Sequence, residues 1–459
     1  MRVRVFRQHL PMAFLLLIAM DAIIFFLAAI VAGLLDQQAA TLGALPAMLA
    51  LVFIMSFSVA AMGLYSPRQR ARLEGILVRL SAAALMTLGA GAAVFFFLPA
   101  VGATQRLLIQ SVIFAAIGAW LLRVIFYQVI DEDLFRRRVI VYGAGRRSRT
   151  ITELRRRTDQ WGFKVVAYIR TEGDAPSFES GLIVEENVDL FDYCLKQRIA
   201  EIIVAMDDRR RGFPLDKLLA CRLAGIEVTD LPDFLEREAG KVRLDVLNPS
   251  WLIFGEGFTR NRLSAAMQRT LDISAGLVIL MLAWPLMLLA IIAIKIEDGW
   301  RQPVLYRQTR VGRDGEHFQI LKFRSMRVDA ESDGQARWAQ VGDARVTRVG
   351  GFMRRTRIDE LPQILNVLRG DMSIVGPRPE RPEFVENLSD TIPYFLERHA
   401  VKPGLTGWAQ LCFSYGASAE DAAEKLQYDL YYVKNHSLVF DLVIIIQTIE
   451  VVLWRKGSR

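Results

Sequence analysis

The sequence predicts a multidomain membrane protein: a four-helix transmembrane bundle, an α/β domain, and a mostly helical C-terminal domain with a re-entrant membrane helix. Three observations lead to this prediction. Apolar stretches fill the first 130 residues, short apolar strands alternate with helical stretches in the middle, and another long apolar segment lies near residues 270–296. At about 150 residues per domain, a chain of 459 residues suggests roughly three domains, which we place at 1–130, 131–250 and 251–459.

The composition narrows the class of protein. Hydrophobic residues make up 53% of the chain, charged residues 23%, and the mean hydropathy is +0.26, which excludes a disordered chain and disfavours an ordinary soluble enzyme. The 57 Lys and Arg against 49 Asp and Glu favour anionic partners such as phosphates, acidic lipid or nucleic acid. The three cysteines and four histidines are scattered, so neither a disulfide framework nor a Cys or His metal site is expected.

Four apolar stretches in the N-terminal quarter are each long enough to cross a hydrocarbon core, which takes roughly 20 helical residues. They are about Pro11–Leu35, Leu45–Tyr65, Ile76–Pro99 and Leu107–Tyr127. Basic residues concentrate before, between and after them on one side, which predicts that both ends of the bundle face the cytoplasm. These residues are Arg2, Arg4, Arg7, Arg68, Arg70, Arg72 and Arg136–Arg138.

Three ionisable residues, Asp21, Arg79 and Arg123, fall inside these stretches. An ionisable group in lipid suggests a functional site by default. Pairing between helices or snorkelling of the long side chains is the favoured interpretation, since nothing else indicates a translocation path. The bundle is therefore interpreted as an anchor, and a transport or export subunit is the weaker alternative.

The middle of the chain predicts a small parallel α/β domain. A short apolar strand from Val139 runs into the turn Gly143-Ala-Gly145, and a helix is expected at Ser148–Arg157. Further β-like runs follow, separated by helical stretches. This alternation is typical of a Rossmann-like fold. The runs are Phe163–Ile169, Glu201–Ala205 and Gly225–Thr229.

The glycine turn resembles the start of a dinucleotide site, where amides at a helix N-terminus hold a pyrophosphate. The signal is weak, because Ser148 takes the third small position and the second strand ends at Arg170 without an acidic residue for a ribose. Arg146 and Arg147 could hold an anion. A structural or regulatory role is favoured over bound NAD, and a dehydrogenase is disfavoured.

The apolar segment Leu271–Ile296 is long enough to span a membrane, yet basic residues flank both of its ends, which conflicts with a simple crossing. Pro285 lies near the middle, where proline removes a backbone hydrogen bond and bends a helix. A helix that enters the membrane, breaks at Pro285 and returns to the same face satisfies both observations. A fifth, kinked span is the alternative. The flanking residues are Arg260, Arg262, Arg269, Lys295, Arg301, Arg307, Arg310 and Arg313.

The last 150 residues contain the candidate chemistry. The chain has no P-loop, no GxSxG elbow and no HExxH zinc motif. Pro362 suits the first turn of a helix that Gly370 ends, which would place Asp359 and Glu360 at the helix N-terminus, where anions are favoured. Dense charge surrounds this point, in the runs Lys322–Met326, Arg354–Pro362 and Gly370–Pro379.

Two carboxylates beside a phosphate site can divide the chemistry between them. One can act as a nucleophile, as in aspartyl-phosphate enzymes. The other can hold Mg²⁺, which usually binds through one or two carboxylates plus substrate phosphates. A solvated charge run with a capping aspartate is the alternative, and the spacing alone favours neither interpretation.

The stretch from Arg269 to the C-terminus resembles the bacterial sugar transferase family, the monotopic phosphoglycosyl transferases. The matching pieces are LDI after a basic residue, KFRSM, RIDELPQILNVLRGDMSIVGPRP, VKPGLTGWAQ and YDLYYVKNHS, in this order. The layout of four spans, a Rossmann-like domain and a monotopic catalytic domain also resembles the large polyprenyl-phosphate hexose-1-phosphate transferases. Relatives often have Ser before the breaking proline, where this chain has Trp284.

The resemblance implies that Asp359 attacks the sugar-linked phosphate of a UDP-sugar and releases UMP. Polyprenyl (undecaprenyl) phosphate would then accept the phosphosugar, and Glu360 would bind Mg²⁺. No nucleic acid is expected as a partner, and a homodimer is left open. The resemblance also implies substrate-binding roles for Lys322, Arg324, Arg354, Pro377, Arg378 and Asp429.

The expected role is the first membrane step of exopolysaccharide or related glycan synthesis, on the cytoplasmic face of the bacterial inner membrane. A membrane-tethered regulator built on the Rossmann-like domain is a further alternative. The apolar helix Ser437–Trp454 has a narrow polar stripe, so it is expected either at the membrane interface or packed against the catalytic domain. The transferred hexose is not predicted.

Overall fold

The chain forms two compact units, Met1–Gly240 and Lys241–Arg459. The computed structural model describes residues 2–5, 8–36, 45–65, 73–97, 104–129, 136–154, 162–171, 174, 182–184, 189–209, 212–247, 257, 262–327, 345–413 and 418–454. The domain boundaries expected near residues 130 and 250 lie outside the described residues. The last residues predicted for the third span and for the helix after the glycine turn also lie outside the described residues. The same holds for some of the basic residues named above: Arg7, Arg68, Arg70, Arg72 and Arg260.

The first unit begins with a short antiparallel hairpin, β1 (Arg2–Val5) and β2 (Gln8–Pro11), followed by four helices. The helices are α1 (Met12–Leu35), α2 (Leu45–Ala61), α3 (Leu73–Phe97) and α4 (Gln105–Val129). Both α1 and α3 contact α2 and α4, so the four helices form a closed ring. The predicted order of four apolar helices is confirmed.

Apolar length identifies the membrane helices. Among the described residues, α1, α3, α4 and the helix Arg262–Asp298 of the second unit are long and apolar enough to cross a membrane. α2 is shorter than predicted, at 17 residues, because Met62–Tyr65 forms a turn instead of continuing the helix. These helices are those of a membrane protein.

The ionisable residues of the bundle pair with neighbouring segments. Arg123 of α4 donates hydrogen bonds to both carboxylate oxygens of Asp21 on α1, at 2.9 and 3.1 Å, and Tyr65 Oη donates to Asp21 at 2.8 Å. Arg79 of α3 donates to the carbonyl oxygen of Met62 at 2.6 Å. Pairing between helices, the interpretation that the sequence favoured, is therefore confirmed.

The α/β part of the first unit is a parallel five-stranded sheet. Its strands are β3 (Arg137–Tyr142), β4 (Phe163–Ile169), β5 (Ile183–Val184), β6 (Glu201–Val204) and β7 (Glu227–Asp230). The spatial order is β5-β4-β3-β6-β7, which is the Rossmann-like arrangement. The two-residue edge strand β5 was missed because it is too short for a pattern. The helices of this part are α5 (Arg146–Thr152), α6 (Leu190–Lys196), α7 (Leu215–Leu223) and α8 (Leu231–Ala239).

The glycine turn after β3 is filled by carboxylates of the chain itself. Asp207 accepts hydrogen bonds from the backbone amides of Arg146 and Arg147, at 2.8 and 2.9 Å. Asp174 accepts from the backbone amide of Ala144 at 2.7 Å. A dinucleotide pyrophosphate would need amides at this position. The anion at the turn is therefore an internal aspartate, which accounts for a Rossmann-like fold with an incomplete glycine motif.

The second unit is mostly helical, as predicted, and is built around a long helix and two short pairs of strands. β8 (Leu305–Val311) and β9 (His317–Phe323) form an antiparallel hairpin, and β10 (Ser373–Val375) pairs in parallel with β11 (Gly404–Thr406). The helices are α9 (Arg262–Asp298), α10 (Arg348–Thr356), α11 (Gln363–Arg369), α12 (Pro382–Thr391), α13 (Trp408–Cys412), α14 (Ala419–Asn435) and α15 (Leu438–Trp454).

The long helix α9 contains Pro285 and continues through it, so the helix is not interrupted where the sequence predicted a break. Proline removes a single backbone hydrogen bond, and the turns on either side of it keep the helix together. Both ends of α9 are held by the second unit. Arg269 donates to the carbonyl oxygens of Val367 and Leu368 at 2.7 and 2.6 Å, and Glu297 accepts two amides at the start of α10 at 2.8 and 3.0 Å.

The last helix, α15, packs into the core of the second unit. Phe440 and Ile444 are completely buried there, beside β10 and α14. Asp441 accepts a hydrogen bond of 2.8 Å from Tyr432 Oη, and Thr448 bonds to Thr406 of β11 at 2.7 Å. The polar stripe therefore contacts protein, which supports the second of the two placements expected for this helix.

We expect Asp21→Ala to destabilise the bundle strongly, because it leaves the Arg123 guanidinium buried without its ion partner. Breaking a buried pair costs about 3–5 kcal/mol, whereas removing both charges costs much less. Thermal denaturation of the detergent-solubilised full chain should therefore show a lower midpoint for Asp21→Ala than for Asp21→Ala/Arg123→Leu. Equal midpoints for the single and the double variant would contradict the pairing.

Candidate active site

The two adjacent carboxylates lie in a short 3₁₀ turn, Ile358–Glu360, between α10 and α11. Arg357 precedes this turn with a φ of 61°, in the left-handed region that residues other than glycine rarely adopt. Pro362 is the N-cap residue of α11, and Gly370 ends the helix as predicted. The carboxylates therefore sit one turn before α11, where the sequence placed them at its N-terminus.

Three cations from three separate segments surround the Glu360 carboxylate. Arg378 Nη2 donates to Glu360 Oε1 at 3.1 Å, and Lys322 Nζ lies 3.6 Å from the same oxygen. Arg357 Nη1 lies 3.4 Å from Glu360 Oε2. Burial alone would raise the pKa of Glu360, but Arg378, Lys322 and Arg357 together hold this pKa well below its usual range. Glu360 is therefore a permanent anion in a cationic setting.

Asp359, one residue earlier, has a different environment. Its residue surface is only 8% exposed, and no hydrogen bond or ion pair to its carboxylate is found among the described residues. Burial, followed by the charge of Glu360, raises the pKa of Asp359 to about 6, while Lys322 and Arg354 act in the opposite direction. At neutral pH this carboxylate is mostly ionised, and burial has removed water from it without supplying a partner among the described residues. A carboxylate in such an environment is able to act as a nucleophile.

The strand β9 and the helix α11 are joined by Asn366, which is completely buried. Its Nδ2 donates to the carbonyl oxygen of Gln319 at 2.8 Å, and its Oδ1 accepts from the amide of Leu321 at 3.0 Å. These two bonds set the position of α11 along β9. They thereby fix Lys322 of β9 relative to the carboxylates that precede α11. Burial lowers the pKa of Lys322, and the charge of Glu360 opposes this effect.

The Pro-Arg-Pro turn is held through its three carbonyl oxygens. Gly404 N donates to Pro377 O at 2.9 Å, and Arg398 Nη2 donates to Arg378 O at 2.9 Å. Arg310 Nη1 donates to Pro379 O at 3.2 Å. A proline has no backbone N–H, so the acceptors are the groups through which such a turn can be fixed. The turn presents the Arg378 side chain to Glu360.

Asp429 of α14 supports this turn indirectly. Its carboxylate is buried and lies 2.8 Å from Arg398 Nη2, the same nitrogen that donates to the Arg378 carbonyl. Burial raises the pKa of Asp429, and Arg398 opposes this shift. The described contacts of Asp429 thus connect it to the backbone of the Pro-Arg-Pro turn, whereas the sequence assigned it to the substrate.

The structure brings together most of the site residues that the sequence selected, and it places others elsewhere. Arg354, in the last turn of α10, contributes to the electrostatic field at Asp359. Arg324 does not join this group, because its guanidinium is buried against Asp298 at 2.7 Å, at the end of α9. β9 ends at Phe323, so the strand alternation that would give Arg324 the same face as Lys322 no longer applies.

Four residues with a role in this geometry were missed: Arg310, Arg357, Asn366 and Arg398. Asn366 could have been predicted, because its amide lies among apolar residues in a short helix. A buried polar side chain needs hydrogen-bond partners, so this position indicates a structural contact. Arg310 and Arg398 act on carbonyl oxygens that are distant in sequence. No local pattern reveals such contacts.

The donor set of the site suits a hard divalent cation. Asp359 and Glu360 supply carboxylate oxygens, the ligands that Mg²⁺ prefers. Among the described residues, no cluster of three His, Cys, Asp or Glu side chains could hold a metal by itself. The residues therefore fit an ion that takes its remaining ligands from water and substrate phosphates, as Mg²⁺ usually does.

Comparisons with known proteins assign the second unit to a family. Residues 263–455 match the family model of the bacterial sugar transferases. A UDP-N-acetylgalactosamine-undecaprenyl-phosphate N-acetylgalactosaminephosphotransferase of Aeromonas hydrophila is 43% identical over 242 residues, which are 53% of this chain and 56% of the relative. The match thus spans little more than half of that relative's length.

Two further relatives match over longer stretches. A UDP-glucose:undecaprenyl-phosphate glucose-1-phosphate transferase of Xanthomonas campestris pv. campestris is 32% identical over 335 residues, 70% of this chain and 67% of the relative. An undecaprenyl-phosphate galactose phosphotransferase of Salmonella typhimurium is 29% identical over 370 residues, 74% of this chain and 74% of the relative.

We expect the two adjacent carboxyls to react differently with a carbodiimide, which modifies the protonated form. Because the pKa of Asp359 is raised to about 6, its modification should increase as the pH falls through about 6. Glu360 should stay unmodified over the same range, since its pKa is held below the usual value. Tandem mass spectrometry of the shared peptide distinguishes the two positions. Equal labelling of both would contradict the described environments.

Proposed function

Because this chain belongs to the bacterial sugar transferase family, we propose that it transfers a hexose-1-phosphate from a UDP-sugar to undecaprenyl phosphate and releases UMP. The names of the relatives support this reaction, since each includes undecaprenyl phosphate as a reactant. The sugars in those names differ: N-acetylgalactosamine, glucose and galactose. The identity of the hexose is therefore left to experiment.

One observation carries the proposed mechanism: of two adjacent carboxylates, Glu360 is paired with cations, whereas Asp359 is buried and has no described partner. In the first step, an oxygen of the Asp359 carboxylate attacks the sugar-linked phosphorus of the UDP-sugar. The phosphoanhydride bond breaks, UMP leaves with the bridging oxygen, and the phosphosugar stays on Asp359 as an acyl phosphate. Arg357, Arg378 and Lys322 lie where they can stabilise charge on the phosphate oxygens.

In the second step, a phosphate oxygen of undecaprenyl phosphate attacks the same phosphorus. The acyl phosphate bond breaks, Asp359 leaves as a carboxylate, and the new phosphoanhydride joins the lipid to the sugar phosphate. One phosphoanhydride replaces another, so the reaction needs no ATP. This agrees with the lack of a P-loop sequence motif. The product would serve the first membrane step of exopolysaccharide or related glycan synthesis.

Glu360 would hold Mg²⁺ when the diphosphate of the substrate is bound. The ion would neutralise phosphate charge and favour departure of UMP. Glu360 itself keeps Lys322, Arg357 and Arg378 close to the reacting phosphorus, because its carboxylate is their shared partner. It also raises the pKa of Asp359, which increases the basicity of the attacking oxygen.

We further propose that α9 enters the membrane, bends at Pro285 without losing its helical backbone and returns to the cytoplasmic face, in an inner membrane. Support comes from the two ends of the helix, since the Arg269 end contacts α11 and the Glu297 end contacts α10, both in the same unit. A helix that crossed the bilayer would have one end on the opposite side from this unit. The residues between, such as Leu282 and Leu289, are exposed and apolar, as contact with lipid requires.

Asp359→Asn should abolish UMP release, because the amide keeps the size of the carboxylate and removes its nucleophilic charge. We expect a loss of about a thousandfold or more. With UDP-sugar alone, the wild type should release up to one UMP per site and keep labelled phosphosugar, which mass spectrometry should locate on Asp359. Asp390→Asn, the same change at an exposed position of α12, is the matched control. An adduct on any other residue would refute the assignment.

The pH dependence of this first step provides a separate prediction. Asp359 must be ionised to attack, and its pKa is raised to about 6, so the rate should fall as the pH is lowered through about 6. Glu360→Gln removes the negative charge that raises this pKa, so the acid limb should move to lower pH while the Mg²⁺ requirement increases about 10- to 100-fold. An acid limb near pH 4 in the wild type would contradict the nucleophile's environment.

The topology of α9 is testable by cysteine labelling in intact cells. Cysteines introduced at Ser264 and at Arg313, near the two ends of the helix, should both be protected from a membrane-impermeant reagent added outside. Both should react after the cells are opened. Labelling of the Arg313 position from outside would show that α9 crosses the membrane. A cysteine in the sequence between α1 and α2, which the positive-inside pattern predicts to lie outside, is the positive control.

A further inference from the structure

A cavity of about 330 Å³ lies beside the first turns of α9, within the second unit. Its walls come from four separate places in the sequence. These are the start of α9, with Arg262 and Arg269, the turn between β8 and β9, with Arg313, the segment before β11, with Lys402, and the residue after α14, His436. The size is in the range of small-molecule sites. None of its lining residues belongs to the cluster around Asp359 and Glu360.

The cavity is strongly cationic. Its lining contains Arg262, Arg269, Arg313 and Lys402 against one carboxylate, Asp272. That carboxylate is already engaged, because it accepts hydrogen bonds from the hydroxyl of Ser373 at 2.7 Å and from a backbone amide of β10 at 2.8 Å. The Asp272 carboxylate therefore cannot neutralise the charges of all four cations. A concave surface with such an excess of positive charge favours an anion.

Two of these cations have no described counter-ion. Among the residues that the structure describes, Lys402 and Arg262 form no hydrogen bond or ion pair through their side chains. Burial, followed by the charge of Arg269, lowers the pKa of Lys402, and the charge of Asp272 opposes this shift. Arg269 is positioned by its two bonds to the end of α11, and Arg313 pairs with its exposed neighbour Asp314 at 3.0 Å.

The exposed apolar residues of α9 begin within about two turns of the cavity. Gln268 lines the cavity, and Ala275 and Leu282 follow at intervals of seven residues, which places all three on one side of the helix. Val278, on the same side, and Leu282 are exposed. A ligand with an anionic head in the cavity could therefore extend an apolar chain along α9, in the direction in which the helix enters the lipid.

We propose that this cavity binds the phosphate head of a membrane lipid, whose chain lies along the side of α9 that Val278 and Leu282 expose. The shared chemistry is a phosphate ester on a long apolar chain. It has two possible sources, the polyprenyl phosphate acceptor and an anionic phospholipid. The proposal rests on the membrane position proposed for α9. It does not depend on the identity of the nucleophile.

The test uses native mass spectrometry of the detergent-solubilised full chain, titrated with polyprenyl phosphate or with phosphatidylglycerol. Polyprenol, which lacks the phosphate, measures binding by the chain alone. The variant is Arg313→Gln/Lys402→Gln, since neither side chain holds another described segment in place. Each of the two cations can donate a charged hydrogen bond to the phosphate, so we expect affinity for the phosphorylated lipid to fall about tenfold or more.

Two further variants make the result specific. Arg307→Gln removes one charge from an exposed position of β8 outside the cavity, and it should bind both lipids as the wild type does. Arg313→Gln/Lys402→Arg restores one cation and should recover part of the affinity. Polyprenol binding should be the same in all variants. A thermal midpoint equal to that of the wild type establishes that the double variant is folded.

A selective loss for polyprenyl phosphate would identify the acceptor as the occupant, and a selective loss for phosphatidylglycerol would identify a phospholipid. Wild-type affinity in Arg313→Gln/Lys402→Gln, or an equal loss in Arg307→Gln, would overturn the proposal. UMP release by the wild type from UDP-sugar alone is measured separately. Its absence would contradict the proposed reaction and leave the lipid-binding result intact.

Discussion

The geometry of the site depends on the convergence of Lys322, Arg357 and Arg378 on one carboxylate, that of Glu360. Each cation comes from a different segment. The Glu360 side chain therefore fixes the relative positions of three segments: strand β9, the residue before the 3₁₀ turn and the Pro-Arg-Pro turn. Without Glu360 the three positive charges would repel one another at close range. With Glu360 satisfied, the adjacent Asp359 keeps no described partner, and two neighbouring carboxyls acquire opposite pKa shifts.

Hydrogen bonds to the backbone fix the segments that carry two of these cations, Lys322 and Arg378. Asn366 joins α11 to β9 through two hydrogen bonds, so the strand that carries Lys322 cannot slide along the helix that follows the carboxylates. The Pro-Arg-Pro turn is fixed by donors to all three of its carbonyl oxygens. Asp429 acts on this turn indirectly, by holding Arg398. The site is thus preorganised by groups that do not themselves face Asp359.

The sequence correctly predicted those elements that a short-range pattern of residues determines. Apolar length identified the bundle helices, the proline and glycine around α11 marked its ends, and the alternation of β-like runs with helical stretches predicted the parallel sheet. Long-range partners were not predictable: Arg324 pairs with Asp298 and Asp429 with Arg398, across 26 and 31 residues. A charged residue near a motif has several possible partners, and which one it meets is decided by tertiary packing that no local spacing encodes. Proline inside α9 predicted an interruption that the described helix does not have.

The aspartate at the glycine turn of the Rossmann-like sheet has a consequence for regulation. Asp207 is tethered to the amides that it occupies, so a dinucleotide would compete with a ligand whose effective concentration is on the order of millimolar or higher. A dinucleotide could act at this turn only by displacing Asp207 and giving up the two amide hydrogen bonds that its carboxylate accepts. Any regulation through these amides would therefore have to release the segment after β6 from the start of α5.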